Sequence, residues 1–591
     1  MEDDVHSLVV IDASTELSSL ATARLEAQVR AAGGQPQIFR NNSELLQFLA
    51  TSIVSQSVAL IDARLVTSQV VIDAVVKSPA HECRTLVEKS SHIQIDSAAR
   101  VAHKKIQSAS STIHRVSQPG HNLLGALTLA SNIEVSDAVR TTLNFAKTVS
   151  APINVVDLLV VSLVRCAIDV APLEATGISV RAREDFQSAI EEVDAQNDDA
   201  LRLKRALRSN DGFYSTFVLR KLSSIVTRIA IKRGWTPNGI TLASLYISLF
   251  TAGLFATGNK AALIVGALLV QLSIIVDCSD GEVARYTGVS SQLGAWLDAS
   301  TDRVKEYAIY AGLAFGASRN HQSLWGWAMV LVVLQTVRHL ADYNFVAVRG
   351  VRESTAVRIP LNQTNDNGVR GAGNILDKSA ALNSKRWIYW IKRVIYLPIG
   401  ERWLVITVGA LLGSPAFVFY ALFGLGLFGL AYVSYGRFVR SSKWTHPRER
   451  SGCDIVERQL DFGPMLNWLF ADASHPLRGR YGWAAPSILR LIELGCIALV
   501  AFGNPWAYLL LFAVAFHHYD TMYRSLGGSE FPRSFTERGL GFDGRLVLVL
   551  VTGFGFIISA QWWFILLGLY FTAVLVVIPS RQWINELKAK N

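Results

Sequence analysis

The run of apolar and polar positions divides the chain in two. Over residues 1 to about 180, short β-branched runs alternate with stretches of helical period. Strands are predicted over 7–11, 36–39 and 58–62, with a helix over 15–31 between the first two, an order that predicts βαβ layering. From residue 237 onward the apolar runs approach the length a bilayer demands, near 237–257, 260–277, 292–316, 323–346, 400–413, 415–437, 482–503, 505–523, 544–560 and 561–579. Between the two regimes, Arg220, Lys221, Arg228, Lys232 and Arg233 alternate with Phe217, Leu222, Ile225, Ile229 and Ile231. That pattern predicts a helix lying in the membrane interface. The expected fold is a multi-pass α-helical membrane protein of about ten transmembrane helices with an N-terminal soluble α/β domain. Its expected divisions are a soluble domain over 1–196, a linker and interfacial helix over 197–235, a six-helix membrane domain over 236–442 and a four-helix membrane domain over 443–591.

Composition sharpens this picture in two places. Half of the 591 residues are hydrophobic, and the net charge of +10 gathers beside the membrane segments, not on a nucleic-acid face. Lys and Arg crowd the connections before the first segment and after the fourth (Arg349, Arg352, Arg358, Lys385, Arg386, Lys392, Arg393), the sixth and the eighth, whereas the opposite connections hold little beyond Lys260 and Arg319. The asymmetry predicts a cell-membrane protein with both termini in the cytoplasm and residues 277–302 at that face. The acidic start, Met1-Glu2-Asp3-Asp4, predicts no signal peptide. The five cysteines lack metal or disulfide spacing and are expected to be reduced thiols.

The chemistry concentrates at residues 277–302. Asp277, Asp280, Asp298 and Asp302 flank a membrane entrance, where a carboxylate costs several kcal/mol unless paired, hydrated or metal-bound. Gly294, Asp298 and Asp302 fall at i, i+4 and i+8, one stripe of a helix, with Gly294 leaving room for a ligand to approach the backbone. Asp277 and Asp280 are i, i+3 and share a face of the preceding helix. Two such pairs make an all-oxygen site for one or two hard cations, Mg²⁺ or Mn²⁺. Gly281 and Ala284 keep the facing surface small, and Arg285 adds a cation suited to phosphate. The competing reading is a set of charges that merely pack against neighbouring helices.

The spacing D-x2-D-G-x2-A-R-x8-G-x3-D-x3-D, matched at every fixed position from Asp277 to Asp302, resembles the signature of the CDP-alcohol phosphotransferase (CDP-alcohol phosphatidyltransferase) family. Thr236-Pro237-Asn238 with Thr241 is similar to that family's entry to its first membrane helix, although Ser244 stands where a small glycine is usual. The resemblance covers roughly 212–440. It implies that Asp277, Asp280, Asp298 and Asp302 bind two divalent ions bridging the pyrophosphate of a CDP-linked donor. Gly281, Ala284 and Arg285 would belong to the CMP pocket, with Gly294 beside the ligand. Asp298 and Asp302 would be catalytic, Asp302 as the base that takes the acceptor hydroxyl's proton. A homodimer is implied, with membrane lipids around it and no nucleic acid as partner.

The motif is most similar to the branch joining a CDP-polyol, such as CDP-inositol, to a polyol phosphate. Some members of that branch carry an N-terminal domain similar to sugar nucleotidyltransferases. Here the loop after the first strand reads Asp12-Ala13-Ser14-Thr15-Glu16-Leu17, with no glycine and no basic residue, so that domain is expected to be degenerate, and Asp62 to be a turn residue. The alternatives are a phospholipid synthase using CDP-diacylglycerol or a lipid acceptor, and a non-catalytic scaffold or transporter. The intact aspartates argue against the last.

Further features carry weaker expectations. Arg338, His339 and Asp342 either contact the acceptor or snorkel at the boundary. Residues 362–374 read as a mobile loop beside the site and 385–396 as an interfacial helix. Arg490 and Glu493 are expected to neutralise each other. His517, His518 and Asp520 either ligate a metal or, since adjacent histidines project to different sides of a helix, sit at an interface. The reacting groups all precede residue 437, so the last four segments are expected to serve assembly and not chemistry.

Overall fold

A computed structural model describes residues 8–13, 19–102, 105–150, 152–182, 185–207, 212–289, 291–353, 359–364, 386–442, 444, 456–463, 465–466, 479–526, 532–553 and 560–590. The chain forms two units, one of residues 1–205 with 353–377 and the other of 206–352 with 378–591.

The first unit is built on a mixed sheet. Its strands are β1 (Leu8–Asp12), β2 (Gln35–Phe39), β3 (Val58–Asp62), β5 (Cys83–Lys89), β6 (Ala98–Ala102), β7 (Lys105–Ala109), β8 (His121–Leu129) and β9 (Val170–Glu174); β4 (Leu65–Val66) pairs separately with β10 (Val180–Arg181). The order is β2-β1-β3-β8-β5-β9, with β1 parallel to β2 and β3, and β8 antiparallel to β3 and β5. Period-2 alternation sorts the side chains into two cores. Leu8, Val10, Val58 and Leu60 meet α2 (Asn42–Ser52), α4 (Ile133–Ala146) and α5 (Val155–Arg165). Val9, Ile11, Ala59 and Ile61 meet α1 (Ser19–Ala31) and α3 (Gln69–Val76) on the other face. The expected strands and helix appear within a residue or two where they are described. Helices α6 (Phe186–Asp194) and α7 (Asp198–Ala206) complete this part of the chain.

Of the 362–374 stretch, residues 362–364 are described. Residues 359–364 lie on the α/β unit: Ile359 N donates to Arg165 O (3.0 Å), Arg115 N to Thr364 O (2.9 Å), and Leu361 joins the core with α5. Residues 365–374 lie outside the described residues.

The second unit is helical: α8 (Arg220–Arg233), α9 (Pro237–Ala256), α10 (Lys260–Thr287), α11 (Gln292–Arg319), α12 (Trp325–Glu353), α13 (Arg386–Ile395), α14 (Ile399–Leu411), α15 (Pro415–Ser441), α16 (Ala485–Val500), α17 (Ala507–Leu526), α18 (Arg533–Arg538), α19 (Gly541–Gly553), α20 (Ala560–Phe571) and α21 (Ile578–Lys590). By length and apolar composition, five described helices are able to cross a membrane, or six if the pair 387–395 and 399–411, bent by 69°, is one span. Helices α11, α12 and α17 are as long but carry charged and polar side chains within them. No disulfide joins the described cysteines.

Helices α9 and α11 pack backbone to backbone. A Cβ at Gly312 would lie 2.3 Å from Ala252 O, and one at Gly316 2.0 Å from Phe255 O. Small residues four apart let the two helices approach this closely.

Candidate functional site

Helix α10 does not stop where its apolar run does. It continues through Asp277 and Asp280 to Thr287 and ends at Gly288, whose φ of 74° provides the left-handed cap. Helix α11 starts at Ser291, whose Oγ accepts from Gly294 N (3.0 Å). The site lies where these two ends face the start of α9. Thr241 and Ser244, one turn apart on α9, meet the carboxylates one turn apart on α10: Thr241 Oγ1 donates to Asp280 Oδ2 (2.5 Å) and Ser244 Oγ to Asp277 Oδ1 (2.9 Å). The serine that departs from the usual glycine therefore holds one of the aspartates.

Asp277, Asp298 and Asp302 each turn a carboxylate oxygen to a common point, the three atoms within 4.8 Å of one another. The fourth aspartate is held differently: besides Thr241, Asp280 accepts from Gly281 N. Gly294 is crowded, since a Cβ there would lie 3.1 Å from Asn238 Oδ1. Arg285 arches over Gly281, 3.0 Å from the position of a Cβ, and its Nε donates to Ala206 O (2.7 Å). Ala284 lies on the same turn of α10.

One charged group at the centre escaped the sequence reading. Lys305, one per cent exposed, forms ion pairs with Asp277 and, at 2.9 Å, with Asp302 Oδ1, and Ser244 Oγ lies 3.3 Å away. Its signal was present in the spacing, for Lys305 continues the stripe of Asp298 and Asp302. With the four aspartates ionised, the cluster carries three negative charges beyond what Lys305 balances. Compare two other buried networks of this unit. Glu306 accepts from Arg303 Nη1 (2.9 Å), Arg402 Nε (2.8 Å) and Tyr310 Oη (2.7 Å). Glu493 and Asp461 are matched by Arg490 and Arg545, with Arg490 Nη1 2.7 Å and Arg545 Nε 2.6 Å from Glu493. Of these three clusters, the aspartates alone combine a surplus of negative charge with converging oxygens, and this donor set fits a hard divalent cation.

The surroundings settle several expectations. Glu282, fully buried, accepts from Arg220 Nη1 (2.6 Å), Ser223 Oγ (2.7 Å) and Thr227 Oγ1 (2.6 Å), so the polar stripe of α8 faces α10 while Leu222, Ile225 and Ile229 point outward. Arg338 and His339 do not snorkel: Arg338 is buried and His339 half-buried. Arg338 Nη2 donates to Leu397 O (3.2 Å), Arg437 pairs with Asp342 (2.5 Å), and His339 Nδ1 lies 3.2 Å from Arg303 Nη1. Arg490 and Glu493 pair as expected. The interfacial placement of His517, His518 and Asp520 is corrected: all three are buried, His517 Nε2 3.0 Å from Asp461 Oδ2 and His518 Nε2 2.8 Å from Glu493 Oε2. The two adjacent histidines do not diverge: their ring centroids are 5.1 Å apart, and with Asp461 they bring ligand atoms within 4.8 Å of one another, although Arg490 and Arg545 already balance the carboxylates there.

Residues 235–362 match the family model described as CDP-alcohol phosphatidyltransferase, and residues 468–589 match a family of unknown function (DUF5941). Among curated proteins, the chain is 37% identical over 163 residues to a phosphatidylinositol phosphate synthase of Mycolicibacterium smegmatis, covering 27% of this chain and 64% of that protein. It is 32% identical over 157 residues to a bifunctional IPC transferase and DIPP synthase of Aquifex aeolicus, covering 26% and 36%. The chain thus spans between about a third and two thirds of the length of these relatives. Among solved structures, an inositol-1-phosphate CTP transferase from T. maritima aligns over 32% of this chain and 76% of its own, at 10% identity and a TM-score of 0.22.

Proposed function

We propose, from the membership of residues 235–362 in the CDP-alcohol phosphatidyltransferase family, that this chain transfers a phospho-alcohol group from a CDP-linked donor to an acceptor hydroxyl and releases CMP. The observation that carries the reading is the convergence of Asp277, Asp298 and Asp302, from two helices, with a surplus of negative charge. These residues, with Asp280, would hold two divalent ions, Mg²⁺ or Mn²⁺. Bound there, the ions supply charge stabilisation for the donor's diphosphate and the departing CMP.

The chain's own residues do the rest. Gly281, Ala284, Arg285 and Gly294 shape the nucleotide side, where small residues admit the donor and Arg285 lends its charge. Asp302 takes the proton of the acceptor hydroxyl as that oxygen attacks the donor phosphorus and the bond to CMP breaks. Lys305 keeps the Asp302 carboxylate oriented through its 2.9 Å contact.

The acceptor is a polyol phosphate. Arg303, Arg338, Arg402 and Arg437 gather beyond Asp302 against only Glu306 and Asp342, and Nη1 of both Arg338 and Arg437 is buried without a hydrogen-bond partner. Such forks suit a phosphate monoester. The donor is a CDP-polyol of the CDP-inositol kind. A second reading, CDP-diacylglycerol as donor, is favoured by the similarity to the phosphatidylinositol phosphate synthase.

The chain crosses the bilayer ten times and works as a homodimer in the cell membrane, with the site and both termini at the cytoplasmic face where Lys and Arg crowd. The α/β unit does not make the donor, because Asp62 at the end of β3 is bound by Arg64 (2.6 Å) and Arg181 (2.5 Å). Burial would raise the Asp62 carboxyl, but these guanidiniums outweigh it and hold it well below the usual range.

CMP release tests the reading. Full-length protein supplied with Mg²⁺, a polyol phosphate and either CDP-inositol or CDP-diacylglycerol should release CMP with one of the donors. Asp302→Asn should fold but lose at least about a hundredfold in rate. CMP release by neither donor, or a near wild-type rate for Asp302→Asn, refutes the assignment.

A further inference from the structure

Helix α11 has two working faces. Asp298 and Asp302 occupy one. Trp296, Arg303 and Tyr307, spaced at seven and four residues, lie on roughly the opposite one. Along its length that second face meets a helix of the C-terminal region, α17, running antiparallel to it, and at Trp296 it also packs against Trp583 and Leu587 of α21. Trp296 Nε1 donates to Asp520 Oδ1 (2.8 Å), the Arg303 guanidinium lies over the Tyr519 ring (5.4 Å), and Tyr508 Oη donates to Tyr307 O (2.8 Å). Asp520 is itself fixed: Arg524 Nε donates to its other oxygen (3.0 Å), while Arg524 also reaches Pro579 O (3.1 Å) and stacks on Trp583 (4.6 Å) of α21.

Trp296 lies one turn after the N-terminus of α11 and two residues before Asp298. Helix termini fray and shift more readily than helix centres. Without an outside anchor the first turns of α11 would be free to rotate, and a rotation that moves Trp296 moves both carboxylates. We propose that the C-terminal region is a component of the catalytic site, with Asp520 as a positioning residue that acts through Trp296 to hold Asp298 and Asp302 on their cation. The proposal departs from the expectation that the last four segments serve assembly and not chemistry. It rests on the reading of Asp277, Asp298 and Asp302 as a divalent-cation site.

The test is Mn²⁺ binding to the full-length chain in detergent, followed without donor by the electron paramagnetic resonance signal of free Mn²⁺, beside thermal unfolding. Asp520→Ala and Trp296→Phe should each weaken Mn²⁺ binding about tenfold, the lower end of what partners of ligand-holding groups contribute. Trp296→Phe should keep Tm close to wild type, whereas Asp520→Ala takes the paired carboxylate from the buried Arg524 guanidinium and lowers it. The double variant should be no weaker than either single one, because both remove the same contact. Trp296→Phe keeps the ring packed and decides the matter alone if Asp520→Ala does not fold. Variants that bind Mn²⁺ within about twofold of wild type, or losses that multiply in the double variant, overturn the proposal. A wild-type chain that binds no Mn²⁺ overturns the cation-site reading and the proposal with it.

Discussion

Replacing Gly316 by alanine sets two physical effects of opposite sign against each other. A glycine in mid-helix costs roughly 0.5–1 kcal/mol relative to alanine, so helix propensity alone makes Gly316→Ala stabilising. Packing points the other way. The added Cβ would lie 2.0 Å from Phe255 O and 3.1 Å from Gly258 N, both backbone atoms of the facing segment. A relaxed carbon–oxygen contact needs about 3.3 Å, so the two segments must part by roughly 1.3 Å at this point. No side-chain rotation relieves that clash. Overpacking of this kind costs about 1–3 kcal/mol, occasionally more, and the nearby Gly312 contact with Ala252 O leaves little slack. The expected net effect is a loss of about 1–2 kcal/mol. Gly253→Ala on the facing helix is the control, since nothing lies within 4 Å of its Cβ position. Thermal unfolding of the full-length chain, followed by tryptophan fluorescence, should show Gly316→Ala below wild type and Gly253→Ala at or above it. Gly316→Ala as stable as wild type would mean that α9 and α11 are not in backbone contact.

Two further outcomes are expected. Lys305→Met should bind Mn²⁺ at least about tenfold more tightly than wild type in the same titration, because a cation a few ångströms from the ion repels it by several kcal/mol at an effective dielectric near 20; unchanged affinity refutes the placement of Lys305 among the aspartates. His114, whose Nε2 lies 2.8 Å from Leu361 O, has a pKa pushed below its ordinary value by burial and by Arg165. With the segment released, His114 therefore takes up a proton more readily as pH falls through about 6.5. Its attachment is complete above that pH and is lost below it, so 359–364 should exchange amide hydrogens faster at pH 5.5 than at 7.5 after correction for intrinsic rates, and equal protection refutes the assignment.

The carboxylates of the site are more legible in the sequence than their partners. Aspartates at fixed helical spacing are legible because the helix alone brings them to one face. Thr241 and Ser244 reach Asp280 and Asp277 from another helix, and nothing local to either pair states that contact. Lys305 was readable, since it shares the aspartate stripe, but a lysine beside a cation site invites no ligand argument and was passed over. Leu361 shows the opposite limit. A single leucine in a polar stretch carries no periodicity, so its burial in the α/β core could not be anticipated.

Three long helices show what an apolarity criterion leaves out. Helices α11, α12 and α17 read as polar because Asp298, Lys305, Glu306, Arg338, His517 and Asp520 lie within them. In isolation each such charge costs a helix several kcal/mol on entering hydrocarbon. In the fold the cost is met mostly from other elements: Arg402 of α14 answers Glu306, Asp461 answers His517, and Trp296 of α11 together with Arg524 on the same helix as Asp520 answers that aspartate. The cost of insertion is thus a property of the assembled bundle, which a window sliding along one helix does not sum. The cluster around Asp277 and Asp302 is the exception, in which the protein supplies a single lysine against four carboxylates. A charge left unanswered by every surrounding helix is a stability defect unless something outside the chain answers it, and in this chain that imbalance coincides with the residues whose spacing first pointed to chemistry.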